Sequence, residues 1–507
     1  MRFRLAVAAL FAAGSTTFGM TYEVAACGAC LAPPSQTTVV TGHRMALSVS
    51  PKQTVLWDQI EYSGAPEQFA WVLPVKPGAI VQLSSDAWFD TLDSATTTQI
   101  FQPQINCENG SSGPSFGCGS SDSLALSRGL EDGANGTGGG PAVTVVSRGS
   151  VGPYSTVTLS TDTPGVLNQW LTDSGFAIDP ASQPIVDAYV AEGFDFIALK
   201  LKHDANVQAM KPVRVVQPGA DPTLPLRMVS IGTGSNVALT LFLISEGRWE
   251  AKNFSNAIVP TNLIAWDFKD SSSNYGVLRQ TALEQNDGKT WLTTFAMQGG
   301  LLQQIQGIPG FMSGIRTYNS PSSQGLSDTI ASAYIQQALG DGQLATDDCV
   351  ARMAQLASAA TVVSNPCDLG KPYDDPSCGA VGANEIDARN LVCGLGQPEP
   401  LDDVAVALNG LHPKDVWLTR IEANLPHAAL ANDLIVQPSA TQTKVDNLKF
   451  ASVAKNVEVV CGSGGSIVPL GANSDKSGPR GRENLVVLVG LGLLSLAAFA
   501  RRRFVPA

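Results

Sequence analysis

The chain has 507 residues, 44% hydrophobic and 15% charged, which excludes a disordered protein and leaves room for one large or two ordinary cores. Lys plus Arg total 32 against 44 for Asp plus Glu, a net charge of −12. Such a surface repels phosphate backbones, so no nucleic-acid partner is expected. Gly (49) and Pro (31) are abundant beside that low charge, as in β-rich exported proteins with many turns.

Met1–Arg4 is a basic start and Leu5–Ala13 a short apolar run, and Val24 and Ala26 fit a signal-peptidase site before Cys27. Residues 1–26 therefore read as a signal peptide. Cys27 and Cys30 follow in a C-x-x-C frame, "VAACGACLAPP" (24–34). A thioredoxin-type pair needs a helix starting at it to stabilise the thiolate, whereas Ala32–Pro34 opposes a helix here. A zinc knuckle needs a second C-x-x-C, which the sequence does not contain. Val24–Cys27 also resembles a lipobox, although Tyr22 and Glu23 interrupt its apolar run. If Cys27 is lipidated, Cys30 can pair with Cys461; if not, Cys27 can pair with Cys30 and leave Cys461 free.

"QTVLWDQIEY" and "QFAWVLPV" flank the turn "SGAPE", so residues 53–75 read as a β-hairpin. "SDAWFDTLDSA" (85–95) reads as a helix with Trp88, Leu92 and Ala95 on one face. Aromatic residues crowd this region. Trp57, Tyr62, Trp71 and Trp88 could line a groove for a glycan or extended peptide, but core packing against the Trp88 helix is the favoured reading. Residues 129–140 are Gly-rich and read as a loop.

A second stretch opens at "VGPYSTVTLS" (151–160). Thr163 and Pro164 supply helix-start chemistry for a helix through Trp170 and Leu171 that ends at Gly175. Another helix runs from about Ile185 to Glu192 and stops at Gly193. "DFIALKLKH", "PVRVVQP", "LPLRMVSIG" and "NVALTLFLIS" read as four strands whose short connections favour antiparallel neighbours. Residues 301–411 turn toward Ala, Ser, Asp and Gln, with helical patterns in "GLSDTIASAYIQQAL" and "TDDCVARMAQLASAA". "VWLTRIEANLP" (416–426) alternates and should return to the sheet.

Nine cysteines in an exported chain point to disulfides. Cys107 and Cys118 bracket a turn-rich loop and form the natural local pair. Cys349, Cys367, Cys378 and Cys393 cluster, and a nested Cys349–Cys393 and Cys367–Cys378 arrangement is favoured among their pairings. The end of the chain holds a Gly/Ser-rich linker (461–484), 16 uncharged residues (485–500) and Arg501–Arg503. As a helix the run spans about 24 Å, and the arginines would stay cytoplasmic by the positive-inside rule. The expected partner is thus the membrane, together with an envelope protein or glycan.

Motifs that could carry chemistry are weak. Gly113–Gly117 fits G-x-S-x-G but lies in a Gly/Ser loop without flanking strand or helix. "NDGKT" (286–290) ends like a phosphate loop but has Leu283 where the first glycine belongs, so it reads as a turn. Ser452–Lys455 fits S-x-x-K without the partner motifs of that enzyme class. His43, His203, His412 and His427 show no zinc spacing, so neither a metal nor a cofactor is expected. His203–Asp204 reads as a strand end rather than a base with its orienter, and the Asp347–Asp348 and Asp374–Asp375 pairs as solvated turns.

Several blocks together resemble the DUF2330 family of bacterial exported proteins, a domain of unknown function. They are "ACGAC" after the leader, "WDQIEYSGAPEQFAWVLPV", "AWFDTLDSATT", "GPYSTVTLSTDTPGVLNQWL", "YVAEGFDFIALKL" and "VWLTRIEANLPHAALANDLIV", running from Cys27 to Val436. The resemblance implies export and assigns no residue a role. The apolar run and arginine cluster resemble the anchors of myxobacterial surface proteins, but Cys461 lies 24 residues before Leu485 instead of beside the span.

The expected architecture is α+β, a largely antiparallel sheet with packed helices. The core spans 27–300, a cysteine-rich helical segment 301–411, returning strands 412–460, and a single transmembrane or sorting helix 485–500 precedes a basic tail 501–507. The expected role is a non-enzymatic envelope ectodomain. The competing class is an envelope enzyme, either a hydrolase or a thiol-disulfide oxidoreductase using Cys27 and Cys30.

Overall fold

The computed structural model describes residues 29–31, 39–63, 70–103, 143–173, 182–202, 210–231, 235–299, 403–411, 415–454, 458–461 and 467–470, with Leu301, Ile330, Ala333, Tyr334, Gln337 and Ala338. Two compact units are present. Residues 1–101, 125–263 and 275–450 build the larger; residues 102–124, 264–274 and 451–507 build the smaller.

The larger unit begins with β1 (Ala29–Leu31), β2 (Val39–Val49), β3 (Gln53–Ser63), β4 (Ala70–Val75), β5 (Ile80–Leu83), α1 (Asp86–Thr96) and β6 (Gln99–Phe101). β7 (Thr144–Val151), β8 (Tyr154–Ser160), α2 (Val166–Asp173), α3 (Gln183–Ala191), β9 (Asp195–Leu201) and β10 (Val213–Pro218) follow. Next come β11 (Thr223–Leu224), the one-turn α4 (Leu226–Val229), β12 (Asn236–Glu246), β13 (Trp249–Ala251) and β14 (Ser255–Ala257). The smaller unit takes β15 (Ala265–Asp267) and β16 (Ser272–Ser273). The larger unit resumes with α5 (Tyr275–Leu283), β17 (Thr290–Gln298), α6 (Asp403–Leu408), β18 (Val416–Pro426), β19 (Leu434–Pro438) and β20 (Leu448–Phe450). β21 (Ser452–Val453), β22 (Glu458–Cys461) and β23 (Ile467–Leu470) belong to the smaller unit, where β16-β15-β21 form one sheet and β22-β23 a hairpin.

The larger unit is built on an eight-stranded sheet, β14-β17-β18-β12-β2-β3-β10-β5, and a five-stranded sheet, β1-β4-β9-β8-β7. Only β12 with β2 and β14 with β17 run parallel in these two sheets; the other pairs are antiparallel. The fold is α+β with mostly antiparallel sheets, as expected.

Period-two alternation gives the central strands two buried faces. On β2, Met45, Leu47 and Val49 join one core cluster while Ala46 joins another; on β12, Leu239, Leu241 and Leu243 oppose Phe242 and Ile244 in the same way. One face of the eight-stranded sheet is covered by Trp88, Phe89 and Leu92 of α1, by Ile330, Tyr334 and Ala338, and by Val404, Ala407 and Leu408 of α6. The other face packs on the five-stranded sheet through Trp71, Leu73, Ile197 and Leu199. The five-stranded sheet in turn buries Val72, Phe196 and Ala198 under α2 and α3 through Leu167, Leu171, Val186 and Tyr189. The layer order is helix, sheet, sheet, helix.

Local chemistry sets the element ends. Ser85 Oγ caps α1 by accepting the Trp88 N–H at 3.2 Å. Gly193, at φ +78°, closes α3 with a Schellman pair of bonds, Phe194 N–H to Tyr189 carbonyl at 3.0 Å and Gly193 N–H to Val190 carbonyl at 3.0 Å. The Phe194 and Tyr189 rings then meet edge-on at 5.2 Å.

Three expectations are corrected. The 53–75 hairpin does not form: β3 pairs with β2 and β10, so neither of its edges is free, and β4 pairs with β9 and β1 in the other sheet. The tight turn lies earlier, where Ser50 Oγ accepts the N–H groups of Lys52 and Gln53. The expected strand "LPLRMVSIG" is instead β11 followed by α4, because Pro225 interrupts it. The four strands in succession are not mutual neighbours, since β9 is in the five-stranded sheet, while β2 and β3 separate β10 from β12. The "NDGKT" turn forms as read, with Asn286, Asp287 and Gly288 all at positive φ. Among the described residues no helix is long and apolar enough to cross a membrane; residues 1–26 and 485–507 lie outside them.

β18 pairs along its whole length with β12 and also with β17. A chain ending at residue 300 therefore strips the neighbouring edges of both strands and should lack a cooperative unfolding transition by circular dichroism, whereas one ending at residue 470 should keep it. A sharp transition from the shorter chain would show that β18 is dispensable.

Candidate functional site

The aromatic residues proposed for a groove are core residues where their side chains are described. Trp57 and Trp88 are fully buried and Trp71 is 3% exposed, so they offer no face to a glycan. Their indoles instead build a packed stack: Trp57 to Trp88 at 5.7 Å, and Trp88 edge-on to Tyr334 at 5.4 Å. Tyr62 lies in β3, but its side chain is outside the described residues, as are Cys27, Cys107, Cys118, Cys349, Cys367, Cys378, Cys393, His203 and His412. Cys30 sits in β1 opposite Trp71 and Cys461 in β22 opposite Ile467; the thiols themselves are outside the described residues.

Under the aromatic stack lies a polar hub that no sequence motif announced. Asp403 Oδ1 accepts from Trp57 Nε1 (2.7 Å), Ser84 Oγ (3.0 Å) and an Arg214 guanidinium nitrogen (3.0 Å), while Oδ2 accepts from Tyr334 OH (3.1 Å). Arg214 and Asp403 are both fully buried, and Arg214 Nε also donates to Gln82 at 3.0 Å. Burial, followed by the Asp403 charge, holds the Tyr334 hydroxyl well above the usual tyrosine range, so it remains a donor. The hub joins β3, β10, α6 and Tyr334 through one carboxylate. Its chemistry is positional, since solvent has no access to it.

On the inter-sheet face of β2 and β3, His43 Nδ1 and Asp58 Oδ1 are 2.8 Å apart. The pair has the spacing of a base and its orienter, but His43 and Asp58 are only 2% and 4% exposed, and His43 Nε2 is buried with no hydrogen-bond partner among the described residues. Burial pushes the Asp58 carboxyl up, partly offset by the His43 charge and hydrogen bond.

A third arrangement is a chain of alternating charges across α1, β2, β18 and α5. Asp90 and Arg44 are 3.3 Å apart, Arg44 and Asp93 2.7 Å, Asp93 and Arg420 2.9 Å, Arg420 and Glu422 3.0 Å, and Glu422 and Arg279 2.6 Å. Three carboxylates face three guanidinium groups, so the chain is neutral. Among the described residues no three His, Cys, Asp or Glu side chains are arranged to hold a metal ion.

The remaining arrangement opens to solvent. A cleft of about 10 Å³, roughly the space of one water, is lined by Leu73, Pro74, Val75, Phe194, Gln217, Asp221, Pro225 and Asp433. Lys76, the residue after β4, is rooted by its N–H to Gln217 Oε1 (2.7 Å). Its ammonium lies 3.9 Å from the Phe194 ring centroid and 4.0 Å from Asp221. Beside it Arg227 stacks 4.2 Å over Tyr189, makes two 2.7 Å bonds to Glu192, and bonds Asp433 at 2.7 and 2.9 Å. Tyr189 OH donates to Asp433 at 2.6 Å. The Arg227 hydrogen bonds, reinforced by the charges of Arg227 and Lys76, hold the Glu192 carboxyl below its ordinary value. This corner was not marked by the sequence; its only trace is the helix-ending Gly193, after which Phe194 packs on Tyr189.

The scaffold is α+β, with two mostly antiparallel sheets packed between helices. The chain belongs to the DUF2330 family, described as an uncharacterized protein conserved in bacteria, whose family model matches residues 21–300. The block at 416–436 lies outside the matched residues, although it supplies β18. No curated protein and no solved structure matches the chain.

Two predictions follow from the buried groups. Asp403→Ala removes the buried carboxylate that pairs with Arg214 and should cost about 3–5 kcal/mol in denaturant unfolding, against less for Asp93→Ala, whose side chain is 24% exposed. Because Asp58 has a folded pKa above its unfolded value, its contribution is fully present below the unfolded pKa and is lost as pH rises through the folded one. Asp58→Asn should therefore flatten that part of the stability-versus-pH curve. An unchanged slope would mean that Asp58 does not titrate in this window.

Proposed function

We propose that this protein is an exported cell-envelope protein whose folded part is a binding or structural ectodomain held to the membrane by its C-terminus. The observation that carries the reading is the pairing, in one chain, of a basic and apolar leader (1–26) with an apolar run (485–500) closed by Arg501–Arg503. On this reading the cysteine-rich segment 301–411 is helical and stapled by disulfides, 461–484 is the linker, and 501–507 is the cytoplasmic tail. Its partners are the membrane and an envelope protein or glycan. The buried polar groups lend support: Asp403, Arg214, Tyr334 and Trp57 bond one another rather than converging on an open space.

The competing reading is an envelope hydrolase, and the His43–Asp58 spacing is the observation in its favour. Its burial beneath the second sheet weighs against it. A thiol-disulfide oxidoreductase is disfavoured on local geometry, because Cys30 lies in a strand and not at a helix N-terminus.

Fractionation tests the anchored reading. Full-length protein should sediment with membranes and resist high-salt washing, while a chain ending at residue 484 should be released in soluble form with its leader removed. Recovery of both forms in the cytoplasm with Met1 retained would end the proposal.

A further inference from the structure

We propose that the Phe194–Asp221 corner is a binding site for a primary alkylammonium group, and that the Lys76 side chain occupies it as a built-in competitor. This takes the binding-protein reading as its premise and adds a ligand class to it. Fractionation tests the premise and titration tests the ligand, so either can fail alone.

The chemistry starts from the corner's charge and shape. Glu192, Asp221 and Asp433 supply three carboxylates against the two cations Lys76 and Arg227, an excess of one negative charge. Arg227 is fully engaged between Glu192 and Asp433 over the Tyr189 ring, which fixes it as part of the wall. Lys76 is held differently. Its ammonium has an aromatic face at 3.9 Å and one carboxylate oxygen at 4.0 Å, beyond direct hydrogen-bond distance, and its side chain is 41% exposed. The backbone root is pinned at Gln217, and the flexible four-carbon stem beyond it is partly exposed.

A ring face with an adjacent carboxylate is the arrangement that recognises organic cations. The Asp221 carboxylate favours a group with N–H donors over a quaternary one, and the apolar walls at Leu73, Pro74 and Val75 suit an alkyl stem. The Lys76 ammonium lies against both the Phe194 face and Asp221, so a ligand ammonium reaches that pair only when Lys76 leaves it. A tethered competitor acts at an effective concentration of the order of millimolar, which weakens the apparent affinity of the intact protein without changing the site.

The test uses full-length protein and two probes of similar size, n-butylammonium and n-butanol, followed by calorimetric titration and thermal shift. Lys76→Ala should bind n-butylammonium at least about tenfold more tightly than wild type. Adding Asp221→Asn to it should weaken that binding about fivefold, and n-butanol should produce neither effect. Lys76→Gln keeps the stem and serves where the alanine variant unfolds, with the same order expected. Equal binding by wild type and both Lys76 variants would overturn the proposal. So would equal responses to the two probes, or no loss from Asp221→Asn.

Discussion

An eight-stranded sheet that is apolar on both faces is the constraint from which the rest of this structure follows. Met45, Leu47 and Leu241 point one way while Ala46, Phe242 and Ile244 point the other, and neither set can be left in water. One face therefore needs a second sheet and the other needs helices. The second sheet, carrying Phe196 and Val72 on its far side, then needs α2 and α3 of its own. Four layers are the smallest arrangement that hides all three apolar surfaces.

The same constraint explains where the polar groups went. Arg214 alternates with Val213 and Val215 on β10 and so must point into the helix-covered face, where a lone guanidinium would be prohibitive. Asp403 answers it, and the remaining lone pairs of that carboxylate take Trp57, Ser84 and Tyr334. A directional hub of this kind selects one docking position for α6 and Tyr334 among the many that apolar packing alone would tolerate. In the chain from Asp90 to Arg279 the exposed end pairs do less for stability, because solvent and salt screen them.

The matched family region ends at residue 300, yet the strand that joins β12 to β17 comes from residues 416–426. A long connection between neighbouring strands costs little in closure entropy, which grows only with the logarithm of length. The architecture thus accommodates the 301–402 segment while keeping the sheet continuous. It also places the Phe194 corner on the five-stranded sheet's side, away from the helix-covered face that Tyr334 and α6 occupy.

The sequence by itself determined the local states: α1 with its apolar Trp88–Leu92 face, α3 with its Gly193 stop, the extended character of β9, β10, β12 and β18, and the α+β class. These depend on side-chain periodicity and on chain-end chemistry within a few residues. Tertiary structure alone decided strand partners, because Trp57 and Trp71 each lie in apolar alternating runs that can pair with any complementary edge. The "SGAPE" turn suggested they pair together, but β2 and β10 filled both edges of β3. The site followed the same division. Gly193 was legible, whereas Lys76 meets Phe194 and Asp221 from more than a hundred residues away along the chain. A carboxylate such as Asp403 or Asp58 looks like any solvated acid until the fold withdraws water from it, and only then does its partner become obligatory.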